Sequence, residues 1–169
     1  MVHELSDRRL KQYLSMLDSP VSAAFHIFLD DYVSGDIWKR SRNEENVQNW
    51  KALSENELEV AKQIILDGLM ETPSDVAYIR AASVMKDDRA IPILEKIIKQ
   101  SEHEETKLLA AKSLYDLCGY PEYIPMLEAA CSNHEDQMLF NYLKVTIRSF
   151  LRGVPVLEQE KVLQILGKK

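Results

Sequence analysis

Apolar residues recur along most of this chain at the three-to-four-residue spacing of an amphipathic helix, and strand-like alternation is nearly absent. Over residues 4–17, Leu5, Leu10, Tyr13, Leu14 and Leu17 fall on one helical face. Ser19-Pro20 reads as a cap followed by proline at the first helical position. A second helix over 20–34 carries Val21, Phe25, Phe28, Leu29 and Tyr32 as its buried stripe, with Gly35 as its stop. Residues 36–52 read as a connector that holds a short helix, because charges and Asn crowd between Trp38 and Trp50. The two tryptophans are expected to cover the first apolar edge of a helical array C-terminal to them. Ser54 and Glu57 form a capping box ahead of Leu58, Ala61, Ile64, Ile65 and Leu69.

From residue 75 onward the pattern repeats. A first helix with the small pair Ala81-Ala82 leads through the turn Asp87-Asp88 into a second helix with Pro92 in its first turn. Ala110-Ala111 and Pro125 repeat this arrangement, and Pro92 and Pro125 stand 33 residues apart, aligning Leu94 with Leu127 and Glu95 with Glu128. A third copy takes 137–151 as its first helix, Gly153 as its stop and 156–166 as its second helix, behind Pro155. Small residues let helices approach closely, and a hairpin that cannot cover its own apolar stripe buries it against the next.

The run Arg80-Ala81-Ala82 followed by Asp88-Arg89-Ala90-Ile91-Pro92-Ile93-Leu94 resembles the short HEAT-like repeat of phycobilisome-lyase-type proteins. The resemblance covers residues 75–131; in 137–169 Asn141, Tyr142 and Leu143 stand where the paired alanines would be. It implies an all-α protein, a short α-solenoid or α-α superhelix of two to three hairpins over 75–169. Residues 1–72 form an N-terminal helical cap, the whole making one compact unit.

In such arrays the second helices line the concave side. The positions expected to face a partner are Arg89, Glu95, Lys96 and Lys99 in one hairpin, and Glu122, Tyr123, Met126 and Glu128 in the next. The family pattern is structural and carries no chemistry of its own, so a non-catalytic protein-interaction module is expected, of which an immunity-type inhibitor is one form. The alternative the resemblance implies is a lyase- or chaperone-like protein acting on another protein.

Charge sharpens the choice of partner. The chain of 169 residues has a net charge of −6, unevenly placed: residues 1–136 hold 15 Lys and Arg against 25 Asp and Glu, giving −10, and 137–169 hold 6 against 2, giving +4. An acidic body favours a basic protein partner over nucleic acid, whose phosphates need a basic surface. Lys144, Arg148 and Arg152, spaced by four, make the one basic stripe through which nucleic acid would bind. An uncapped final hairpin would also expose apolar surface on which two chains pair.

No run approaches the ~20 apolar residues of a membrane span, and no apolar signal core opens the sequence, so a cytoplasmic protein without a membrane partner is expected. Cys118 and Cys131 are too far apart along the chain to be bridged if both lie on successive helices, and they read as small buried hydrophobes.

Other combinations fail as chemistry. His103 and His134 stand in equivalent loops, each followed by two acids, but those acids suit the starts of helices better than a metal. Asp30, Asp31 and Asp36 lack the alternating oxygens of a calcium loop, and His26 with Asp30 reads as a surface pair. No nucleophile motif or phosphate-cradling glycine loop occurs, so no catalytic residue, metal ligand or cofactor is expected.

Overall fold

The computed structural model describes residues 2–18, 20–34 and 47–167. Among them it holds ten α-helices and no strand. They fall into two compact units, Met1–Ile93 and Leu94–Lys169.

The first unit contains α1 (Val2–Ser15), α2 (Ala23–Leu29), α3 (Val47–Lys51), α4 (Glu55–Glu71) and α5 (Val76–Val84). Its boundary differs from the expected division near residue 72, because α5, the first helix of the repeat pattern, packs on α4. A Cβ on Gly68 of α4 would meet the Tyr78 ring at 2.5 Å. Glycine there lets the ring lie directly on the helix. The Tyr78 hydroxyl then donates to the Tyr32 carbonyl at 2.6 Å.

Helix α2 continues as a π-helical turn, Asp30–Ser34. Its cap is Ser22, whose Oγ accepts from the Phe25 N–H at 3.1 Å, three residues beyond the expected Ser19-Pro20 start. Proline fixes only its own φ, whereas Ser22 supplies the acceptor that an open helix end needs. Ser19, Gly35 and Trp38 lie outside the described residues. Phe25, Phe28 and Tyr32 stack at successive ring distances of 5.9 and 4.9 Å, and Trp50 of α3 meets Phe28 and Tyr32 at 6.3 and 5.8 Å. Trp50 is buried in this aromatic cluster and serves the core.

The capping box at α4 forms as the sequence predicts, with the Ser54 side chain accepting from the Glu57 N–H. Glu57 does more. Its carboxylate, buried among apolar neighbours, accepts from the Ser54 N–H at 3.0 Å and from the Ser22 N–H at 2.8 Å, joining the starts of α4 and α2. Burial pushes its pKa up, but these hydrogen bonds to the charged form outweigh burial and hold it below the ordinary value. Helix α1 docks on α4 through the Tyr13 hydroxyl, which donates to Asp67 at 2.6 Å, and through the Arg9–Glu71 ion pair.

The second unit begins within α6 (Ile91–Gln100) and contains α7 (Glu104–Cys118), α8 (Tyr123–Ser132), α9 (Gln137–Leu151) and α10 (Val156–Gly167). Helix α8 is central: α7, α9 and α10 all pack on it. Ala110 and Ala111 are fully buried, as close approach of α7 to its neighbours requires, and Leu114, Leu127, Leu143, Phe150 and Val162 complete the core. Helix α7 stops at Gly119, which takes the left-handed φ of 74° that a side chain resists.

The end of α9 is closed from outside. Terminal helix carbonyls lack intrahelical partners. Here the Tyr123 hydroxyl donates to the Phe150 carbonyl at 2.6 Å, and the Lys112 ammonium donates to the Arg152 carbonyl at 2.9 Å while pairing with Asp116. The Lys112 Nζ sits 5.8 and 5.9 Å from the Tyr115 and Tyr123 ring centres. A buried cation is tolerable only with such partners.

Candidate interaction site

Helix α8 presents two edges of different character. Tyr123, Leu127 and Cys131, at i, i+4 and i+8, are fully buried and fix one edge in the core. On another edge Met126, Ala129, Ala130 and Asn133 line a groove completed by Glu104 and Leu108 of α7 and Leu139 of α9, with a volume of about 210 Å³. Leu108 and Leu139 are buried and supply the floor. The groove exists because its wall is small: in the preceding copy the positions matching Ala129-Ala130 are Lys96-Ile97.

Two polar groups join this apolar lining. The Glu104 carboxylate pairs with Lys107 at 2.6 Å across one turn, an exposed contact that leaves it accessible. Asn133 uses its side-chain oxygen to accept from the Glu135 N–H at 3.2 Å, which fixes the turn between α8 and α9. The arrangement offers an apolar slot with a carboxylate at its mouth. Glu105 and Glu122 are exposed nearby in sequence, Glu122 one helical turn before Met126 and on the same side of α8 by spacing.

The eight residues expected at a partner surface differ in their surroundings. Arg89 belongs to the first unit, where it is held by Asp87 at 2.7 Å and Glu59 at 2.5 Å. The hydrogen bond to Asp87 raises the guanidinium's pKa and draws the Asp87 carboxyl below its ordinary value. Glu95, Lys96 and Lys99 are exposed on the side of α6 away from buried Leu94 and Ile97. Glu122 is exposed, and Met126 forms the groove wall.

Tyr123 requires correction. It is 0% exposed, with its hydroxyl committed to the end of α9, and burial beside Asp116 raises its pKa. Glu128 is engaged as well, pairing with Lys161 of α10 at 2.6 Å, so it does not contribute an unopposed charge to an acidic row. Sequence reasoning places Glu104 only as an acid at a helix start and does not single out Leu108, Ala129, Ala130, Asn133 or Leu139 as site residues; the paired alanines at 129 and 130 are the available signal.

The remaining candidates settle into structural roles. His103 is exposed, and the His134 ring packs edge-on against Phe140 at 4.6 Å. Among the described residues no three His, Cys, Asp or Glu side chains gather as metal ligands. Cys131 is buried, which pushes its thiol up to about 11, whereas Cys118 is exposed, against the expectation that both are buried. Lys144 lies over the Phe140 ring at 4.4 Å, and exposed Arg148 and Arg152 share their helix face with Met138 and Val145, so the basic stripe is interrupted by apolar surface. No helix among the described residues is long and apolar enough to cross a membrane. Comparison with protein-family models, with curated proteins and with solved structures finds no match to this chain.

Proposed function

We propose that this chain is a non-catalytic protein-interaction module. Its α8 groove receives an apolar side chain from a partner that carries a basic residue beside it. The observation that carries this reading is the groove itself: an open slot of about 210 Å³ with an apolar floor, small walls and Glu104 at the rim. Burial of one large apolar side chain is worth about 1.5–3 kcal/mol, enough to anchor a contact. Exposed carboxylates near the slot favour basic partners and mainly raise the rate of encounter. A cytoplasmic inhibitor of the immunity type, neutralising a basic partner, is the form of module that this charge pattern suits best.

The reading of hairpins α5–α6, α7–α8 and α9–α10 as a short HEAT-like solenoid belongs to the same proposal. It is supported by the ion pair between Glu128 and Lys161, which stand one 33-residue period apart on successive second helices. The core positions of α10, Val162 and Leu166, fall two residues later than that period places them, and the repeat is looser there.

The test is affinity capture from the native lysate with the wild-type chain and with Met126→Arg, which fills and charges the slot. The expected result is one stoichiometric basic protein, its recovery lowered about tenfold or more by Met126→Arg at unchanged helicity. Equal recovery by both chains, or recovery of nucleic acid alone, overturns the reading.

A further inference from the structure

We propose that the outer face of α9 is a self-recognition surface, on which a second copy of this chain docks antiparallel about a two-fold axis. The face is apolar where a solvated helix would be polar: Met138 is 86% exposed and Val145 85% exposed, seven residues apart on one line, with half-exposed Tyr142 beside them. The i, i+4, i+7 spacing is that of anchors meeting another helix. The opposite face of α9, through Phe140, Leu143, Ile147 and Phe150, is already buried in the second unit.

The charges along this face identify the occupant. Reading from its start, the line runs from exposed Glu135 through Met138, Tyr142 and Val145 to exposed Arg148 and Arg152. An acid at one end, apolar residues in the middle and bases at the other end form a pattern complementary to its own reverse. Centring the pair between Leu143 and Lys144 sets Tyr142 of each copy against Val145 of the other. The same register sets each Glu135 against the other copy's Arg152.

Glu135 lies just before the Asp136 cap of α9 and Arg152 caps its other end, so the two charges flank the helix and one antiparallel contact along α9 pairs both ends. A parallel pairing would set Arg148 and Arg152 against themselves. Lys144, nearest the axis, is held to the flank over its own Phe140 ring. The contact is isologous and closes at two copies.

The apolar centre drives the association and the end charges fix its register, and the test separates the two. Sedimentation equilibrium of the full chain at about 100 μM is expected to give twice the chain mass, and Val145→Glu to weaken self-association about a hundredfold. Arg152→Glu and Glu135→Arg alone are each expected to weaken it about tenfold, and the two together to restore it. Val145 is exposed in the single chain, so helicity stays unchanged in Val145→Glu. A wild-type monomer at that concentration overturns the proposal. So does a dimer that survives Val145→Glu, a double exchange that fails to restore association, or a monomer that binds anionic lipid vesicles through this face.

Discussion

The two units solve the same problem, an open helix end that needs partners, with opposite chemistry. In Met1–Ile93 the closed ends are starts: the N–H groups of Ser22 and Ser54 point at one buried carboxylate, Glu57. In Leu94–Lys169 the closed end is a stop: the carbonyls of Phe150 and Arg152 receive the hydroxyl of buried Tyr123 and the ammonium of buried Lys112. Each choice matches the helix dipole, positive at its start and negative at its end. The aromatic rings divide the same way. Phe25, Phe28, Tyr32 and Trp50 make the centre of the first unit, whereas the second is mostly aliphatic and keeps Tyr115 and Tyr123 beside its buried cation. A buried charge thus marks where a chain segment begins or ends, and in this protein it signals architecture before chemistry.

The contrast breaks most visibly at Glu57. Glu57→Leu leaves two N–H groups without their acceptor and should lower the unfolding free energy by about 3 kcal/mol, measured by urea denaturation. The folded pKa of Glu57 lies below its unfolded value of 4.5, so the unfolded chain binds the proton more readily. Its contribution is therefore complete above pH 4.5 and lost as pH falls through the lower folded value. Glu57→Gln should flatten that acid slope.

In the other unit, Lys112→Met keeps the length of the side chain, removes its charge and leaves the Arg152 carbonyl without its donor. The expected loss is about 2 kcal/mol by urea denaturation. A larger loss in Glu57→Leu than in Lys112→Met would sharpen the contrast between the two ends. The smallest effect belongs to the Glu128–Lys161 pair, whose ammonium is exposed to solvent. Lys161→Ala should leave the thermal midpoint unchanged, because exposed ion pairs contribute little.

Much of the fold is legible in the sequence, and what escapes does so for local reasons. The capping box at Ser54 and Glu57 is a short-range pattern and forms as expected, but the second acceptor role of Glu57 depends on Ser22, 35 residues away. The start of α2 offers two serines, one of them beside a proline; Ser22 is the one three residues before the Phe25 N–H that it accepts from. Tyr123 resembles a surface anchor because tyrosine is amphipathic; its spacing with Leu127 and Cys131 already places it on the core line. The groove is hidden for a different reason. It is made by what Ala129 and Ala130 lack, between helices whose approach depends on contacts far apart in sequence.

The central claim, that the α8 groove is where a partner binds, is tested most directly by hydrogen–deuterium exchange of the complex with the protein captured by the wild-type chain. Added protection is predicted over residues 104–108 and 122–133, at both low and moderate salt. Protection confined to the first unit, or to the outer face of α9, with none across the groove, would contradict it.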